Sequence, residues 1–234
     1  MSMMFRVPLG LLSPSGASAR LSILIFHRVH QQRDPLFPGE VDAADFDNIC
    51  AWAKSMFNVL PLDEAVARHA ANSLPARALC ITFDDGYADN HDVALPILRR
   101  HGITATFFIA SGFLDGGRMW NDTVIEAMRR TAHDRVDLRP LGIDGLGELA
   151  TAAPSQRRQA IDQIIRAVKH RHPVERLALV DAVAEASGAD LPNDLMMTSV
   201  QLKAMHAAGM QIGAHTVTHP ILAALPLDQA RAEI

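Results

Sequence analysis

Two adjacent aspartates, Asp84 and Asp85, close an apolar run in the stretch ITFDDGYADN, residues 81–90. Carboxylates side by side repel one another, and beside a core each is costly unless it is paired or bound to a cation. Such a pair belongs either in a solvated turn or next to something positive. The stretch GAHTVTHP, residues 213–220, offers a way to the second case, because it spaces His215 and His219 four apart. On one helical turn or a tight loop that spacing points both imidazoles the same way. Two neutral imidazoles and one carboxylate are a ligand set of catalytic zinc that leaves a position for water. If Asp85 takes the metal, its charge is compensated, and Asp84 is left beside the activated water as a base. Spacing alone is weak in a chain with 11 histidines, and for His101, His133, His170, His172 and His206 a surface or core-edge place is the plainer reading.

The elements around the two clusters strengthen the metal reading. LSILIFH (21–27) is a continuous apolar run, read as a strand buried on both faces of a parallel sheet. Residues 41–57 carry Phe46, Ile49, Ala53 and Phe57 at helical steps. NVLP (58–61) suits a short strand, and a helix follows from Leu62 to about residue 71. Next come a strand over 78–83, a helix over 90–101 ended by Gly102, and a strand in TATFFIA, 104–110. This alternation predicts an α/β fold with parallel strands, whose chemistry sits just past the carboxyl ends of the strands. Asp84, Asp85, His27 and Ser111 all hold such positions.

From residue 119 to 191 the rhythm changes to helices at about 120–131, 155–170 and 173–187, with no strand among them. An all-helical insertion over about 118–194 is expected, within one catalytic domain whose core is 21–117 and 195–234. The alternation resumes with a helix capped by Thr198 and ended by Gly209, then a strand in MQIGAH. Residues 1–20, broken by Pro8, Gly10 and Pro14, are read as a flexible lead-in rather than an export signal, which makes the protein cytoplasmic.

TFDDGY (82–87) and HTVTHP (215–220) resemble the first two signature motifs of the polysaccharide deacetylases, carbohydrate esterase family four. The likeness extends through ILIFHRV and TATFFIASGF, and MWND (119–122) resembles a segment of some members. It implies a distorted (β/α) barrel of fewer than eight strands and removal of N-acetyl groups from chitin-like, peptidoglycan or poly-N-acetylglucosamine chains. Carried over by residue, it makes Asp84 the catalytic base and Asp85, His215 and His219 the ligands of one divalent transition metal, zinc before others. The family's further motifs, which supply an arginine, an oxyanion donor and an acid histidine, lie downstream and are not reached by residue 234. Either the inserted region fills these roles or, as is expected, the chain is cut short and its barrel incomplete, with strand edges that invite self-association.

Other candidates have two readings each. His27 either touches substrate or anchors its loop. Tyr87 lines the groove or packs beneath it. Trp120 stacks on a sugar or closes a helical core. Asp122 either caps that helix, the simpler reading, or bonds a hydroxyl, and Asp89 with Asn90 is most simply the cap of the helix after the aspartates. The rival functions are an amide hydrolase for a small or lipid-linked substrate and a metal- and sugar-binding protein without catalysis.

Bulk properties narrow the field. A net charge of −4 leaves no electrostatic footprint for nucleic acid. No apolar run reaches the roughly 18 residues of a membrane span. Cys50 and Cys80 lack metal spacing and are read as buried free thiols. No G-x-S-x-G nucleophile turn is present.

Overall fold

A computed structural model describes residues 9–234. Along the chain the elements run β1 (Leu21–Phe26), α1 (Ala43–Met56), β2 (Asn58–Val59), α2 (Leu62–Ala70), β3 (Ala78–Phe83), α3 (Leu95–His101) and β4 (Thr106–Ile109). There follow α4 (Trp120–Arg130), β5 (Arg135–Asp137), β6 (Glu148–Ala150), α5 (Pro154–Val168) and α6 (Pro173–Ser187). The chain then passes through α7 (Ser199–Ala207), β7 (Gln211–Ala214) and α8 (Leu227–Ala232). The described residues form two compact units, one of 9–33, 40–115 and 196–234, the other of 34–39 and 116–195.

The first unit is built on a five-stranded parallel sheet in the order β1-β3-β4-β7, with β2 pairing against the start of β3. β3 is the centre because ALCITF is apolar but for Thr82, and all six of its residues are buried. Register places Phe26 opposite Phe83 and Phe83 opposite Phe107. Their rings stack at centroid distances of 5.4 Å and 4.6 Å, and Phe46 from α1 meets Phe26 edge-on at 5.1 Å.

Local signals explain the helices around it. Asp42 caps α1 by accepting from Asp45 N at 2.9 Å. Thr198 and Gln201 form a capping box at the start of α7. Gly102, at φ +59°, ends α3. Cys50 and Cys80 are buried free thiols, as their sequence settings suggest.

Two expectations for this unit are corrected. β1 is not buried on both faces: Ile23 is 45 % and Ile25 60 % exposed, because β1 pairs only with β3. β7, paired only with β4, forms the opposite edge among the described residues. The lead-in is not loose over its whole length either. Residues 1–8 lie outside the described residues, but Gly16 N donates to Leu74 O and Arg77 N donates to Ser13 O, each at 2.9 Å.

The second unit packs α4, α5 and α6 around Val124, Met128, Ile161, Ile164, Val180 and Val183. It is not all-helical. β5 and β6 form a two-stranded antiparallel sheet in which only Val136 and Leu149 turn fully to the core. One inward residue in each three-residue strand carries no periodic signal, which is why sequence patterning passes over it. Residues 34–39 also belong here, held by a fork in which Arg129 donates to both oxygens of Asp34 at 2.8 and 2.7 Å.

Candidate metal centre and active site

Backbone pairing continues past the strand ends and carries the site. Asp84 N donates to Phe26 O, Ala110 N to Asp85 O, and His215 N to Ile109 O, at 2.9 to 3.1 Å. The ladder therefore delivers residues that are distant in sequence to the same rim of the sheet. At Asp85 the chain turns sharply, with φ +77° there and +92° at Gly86. A side chain at residue 86 would crowd Ile109, 3.1 Å from its Cγ2, so glycine is required on both counts. The histidine loop is bent in the same way, with φ +65° at Thr216 and +52° at His219. Left-handed backbone at such residues costs on the order of 1–3 kcal/mol apiece and persists where surrounding contacts enforce it.

These turns bring Asp85, His215 and His219 together. Asp85 Oδ1 lies 3.6 Å from His215 Nε2 and 3.4 Å from His219 Nε2. The Asp85 side chain is 6 % exposed, and its Oδ1 has no hydrogen-bond partner among the described residues. A buried carboxylate oxygen without a partner is expensive, and a cation is the group that would satisfy it. Ligands at about 2.0–2.1 Å on a tetrahedral ion stand roughly 3.3–3.4 Å apart, close to the spacing found here. Partial burial holds the His219 pKa below the ordinary histidine value. The Asp85 charge pulls it back up, His215 and His27 push it further down, and Asp84 pulls it up. A neutral imidazole keeps a lone pair for a metal. The donor set fits a divalent ion, and the rings, 33 % and 38 % exposed, leave one side of the centre open to solvent.

The remaining candidates are placed as follows. Asp84 is half-buried, and its charge is felt at His219. His27 is near enough to act on His219 as well, and its carbonyl accepts from Asn90 Nδ2 at 2.9 Å. Tyr87 is buried under its loop with the Arg28 guanidinium 4.7 Å above the ring, which is the packing alternative rather than the groove-lining one. Trp120 is in the second unit, packed against that unit's core, with Arg176 4.7 Å over one ring face.

Sequence reasoning missed two supports. Asp89 and Asn90 do not cap a helix with their side chains. Asp89 accepts from Arg28 Nε at 2.7 Å and from Val29 N at 3.3 Å, so with Asn90 it ties the loop after β1 to the loop after β3. Gly112 is the second: its N donates to Val217 O at 2.8 Å, and an added Cβ would stand 2.7 Å from that oxygen. The only sequence-level hint was a glycine directly past a strand end.

Asp85, His215 and His219 form a candidate metal site at the rim of a parallel α/β sheet. Residues 71–138 and 179–234, more than half of the chain and including both motifs, match the polysaccharide deacetylase family model, and the chain belongs to that family. The family's members are hydrolases of C–N bonds that act on glycans and generally use a divalent metal. YxkH of Bacillus subtilis, a protein named for the same family, is 27 % identical over 141 residues, covering 59 % of this chain and 48 % of that protein. The Streptococcus pyogenes deacetylase PplD, solved in complex with acetate, superposes with a TM-score of 0.52 at 20 % identity, over 91 % of this chain and 63 % of PplD. That likeness shows the fold, which in these relatives is (β/α) barrel-like. The chain thus spans about half the length of the curated relative it matches.

Proposed function

We propose that this protein removes N-acetyl groups from a glycan by metal-assisted hydrolysis, with Asp85, His215 and His219 holding one zinc ion and Asp84 acting as base. The observation that carries the reading is the meeting of Asp85 Oδ1 with two histidine Nε2 atoms at 3.4 and 3.6 Å, with that oxygen otherwise unpartnered. A bound zinc would supply Lewis acidity, lowering the pKa of water and polarising the acetamide carbonyl.

The rest falls to the chain's own residues. Asp84 follows the strand end next to Asp85 and is half-buried, so it can reach solvent while its neighbour is committed to the centre. It takes a proton as water adds to the acetamide carbon. The C–N bond then breaks, the amine leaves with a proton and acetate is released. A second carboxylate in this place has no use in a protein that only binds metal, which favours catalysis over the binding alternative. His27 borders the centre and is assigned to substrate contact or to tuning His219.

The test is acetate release from N-acetylglucosamine oligomers by zinc-loaded protein, run beside Asp84→Asn and His219→Ala variants. Release that both variants abolish, with zinc retained only by Asp84→Asn, is the expected result. Zinc binding without release from oligomers, monomers or lipid-linked amides would leave a metal-binding protein and overturn the hydrolase reading.

A further inference from the structure

The loop between the two histidines, residues 216–218, is held from two sides. On one side its carbonyls accept from the loop after β4: Ser111 N donates to Thr216 O at 3.2 Å and Gly112 N to Val217 O at 2.8 Å. On the other side its amides find a single acceptor far along the chain. Val217 N and Thr218 N donate to Glu233 Oε2 at 3.0 and 2.7 Å, and the Thr218 hydroxyl donates to Glu233 Oε1 at 2.5 Å. Inside the loop, Thr216 Oγ1 accepts from His219 N at 3.0 Å. Val217 is exposed, and Thr216 and His219 are in left-handed backbone. Two adjacent amides and a hydroxyl converging on one carboxylate are charge-assisted bonds, stronger than neutral ones and specific in direction.

We infer that Glu233 is a positioning residue for the metal centre, clamping the 216–218 loop so that His219 is aimed at Asp85. The inference rests on the metal reading given above. Among the described residues Glu233 bonds neither the histidines nor Asp85; it acts through the peptide groups of Val217 and Thr218. Those bonds, led by the Thr218 hydroxyl, outweigh the upward push of partial burial and hold the carboxyl below the usual glutamate range, so it is charged at neutral pH. Groups that hydrogen-bond a metal ligand directly typically matter about 10- to 100-fold in metal affinity, and a clamp acting through the loop backbone belongs at the lower end of that range.

Two readouts test this on the wild-type chain, Glu233→Ala and Glu233→Gln. In metal-free protein, hydrogen exchange should quicken about tenfold or more at the Val217 and Thr218 amides in Glu233→Ala, and little in β3 and β4. In a Co²⁺ titration followed by the visible d–d bands, Glu233→Ala should bind about tenfold or more weakly with shifted bands. Glu233→Gln, which keeps an acceptor oxygen, should fall between. Unchanged exchange in Glu233→Ala overturns the clamp whatever the metal does. Faster exchange with wild-type Co²⁺ affinity and spectrum overturns the positioning role, leaving a loop contact alone. Wild-type protein that binds no Co²⁺ sinks the metal centre and with it the aim of the clamp, while the exchange data still report whether the loop bonds exist.

Discussion

Asp85 Oδ1 lies 3.4 Å from His219 Nε2, with more than half the chain between them, and in that position the buried oxygen accepts no hydrogen bond among the described residues. The contact is a conflict without a cation and a binding site with one. It also makes the centre a place where stability and function oppose each other.

Asp85→Asn should separate the two. It removes a buried charge and puts a residue that tolerates left-handed backbone at φ +77°. We expect the metal-free variant to be more stable than metal-free wild type by about 1–2 kcal/mol, from the relief of the unpartnered carboxylate. Metal affinity should fall at the same time. Chemical denaturation of the metal-free proteins, paired with elemental analysis after reconstitution, checks both halves. A destabilised variant would show that Oδ1 already has a partner in solution.

Asp84→Asn should leave about one metal ion per chain in place and lower acetate release by roughly 10²- to 10⁴-fold, the usual contribution of a positioned base. His215→Ala should instead lose metal and activity together. Metal content and rate measured on the same preparations distinguish the two patterns. Equal metal loss in both would make Asp84 a ligand rather than a base.

Gly112→Ala tests the seat of the histidine loop from the other side. Its Cβ would come within 2.7 Å of Val217 O, a backbone atom that can yield only if the loop moves. The expected cost is about 1–3 kcal/mol in stability, with weaker metal binding because Val217 and His219 share the displaced loop. Wild-type affinity and stability in this variant would mean the loop docks elsewhere.

Cys50 and Cys80 give the pH dependence. Burial pushes the Cys50 thiol up to about 12 and the Cys80 thiol up to about 11, with the charges of Asp47 and Asp63 adding to the rise. Both stay protonated in the folded chain while an unfolded thiol ionises near the ordinary value of about 8.5. The unfolded state therefore loses protons first, so stability is unaffected below about pH 8 and declines as pH rises toward 11. Urea midpoints at pH 7.5 and 10 should show the drop, smaller in a Cys50→Ala variant compared with itself. At pH 8 neither thiol should react with an alkylating reagent until denaturant is added.

How far the sequence alone reached depended on whether a signal was local. β3 followed by Asp84-Asp85-Gly86, and His215 and His219 past a strand, were legible because an apolar run, a charge pair and a glycine each act within a few residues of chain. The same holds for α1, α7 and the helix ends at Thr198 and Gly102. What the tertiary structure decided were relations between loops. Asp89 reaches back to Arg28 and Val29 instead of capping a helix, and Gly112 makes room for Val217 O. Glu233 gathers Val217 and Thr218, and Val136 pairs with Leu149 in a sheet too short to be periodic. β1 carries the composition of a buried strand and is exposed, because burial depends on how many neighbours a strand has. Composition sets which segments can be strands and which residues can bind a metal. Register and loop contacts, formed only when the sheet assembles, set which of them meet.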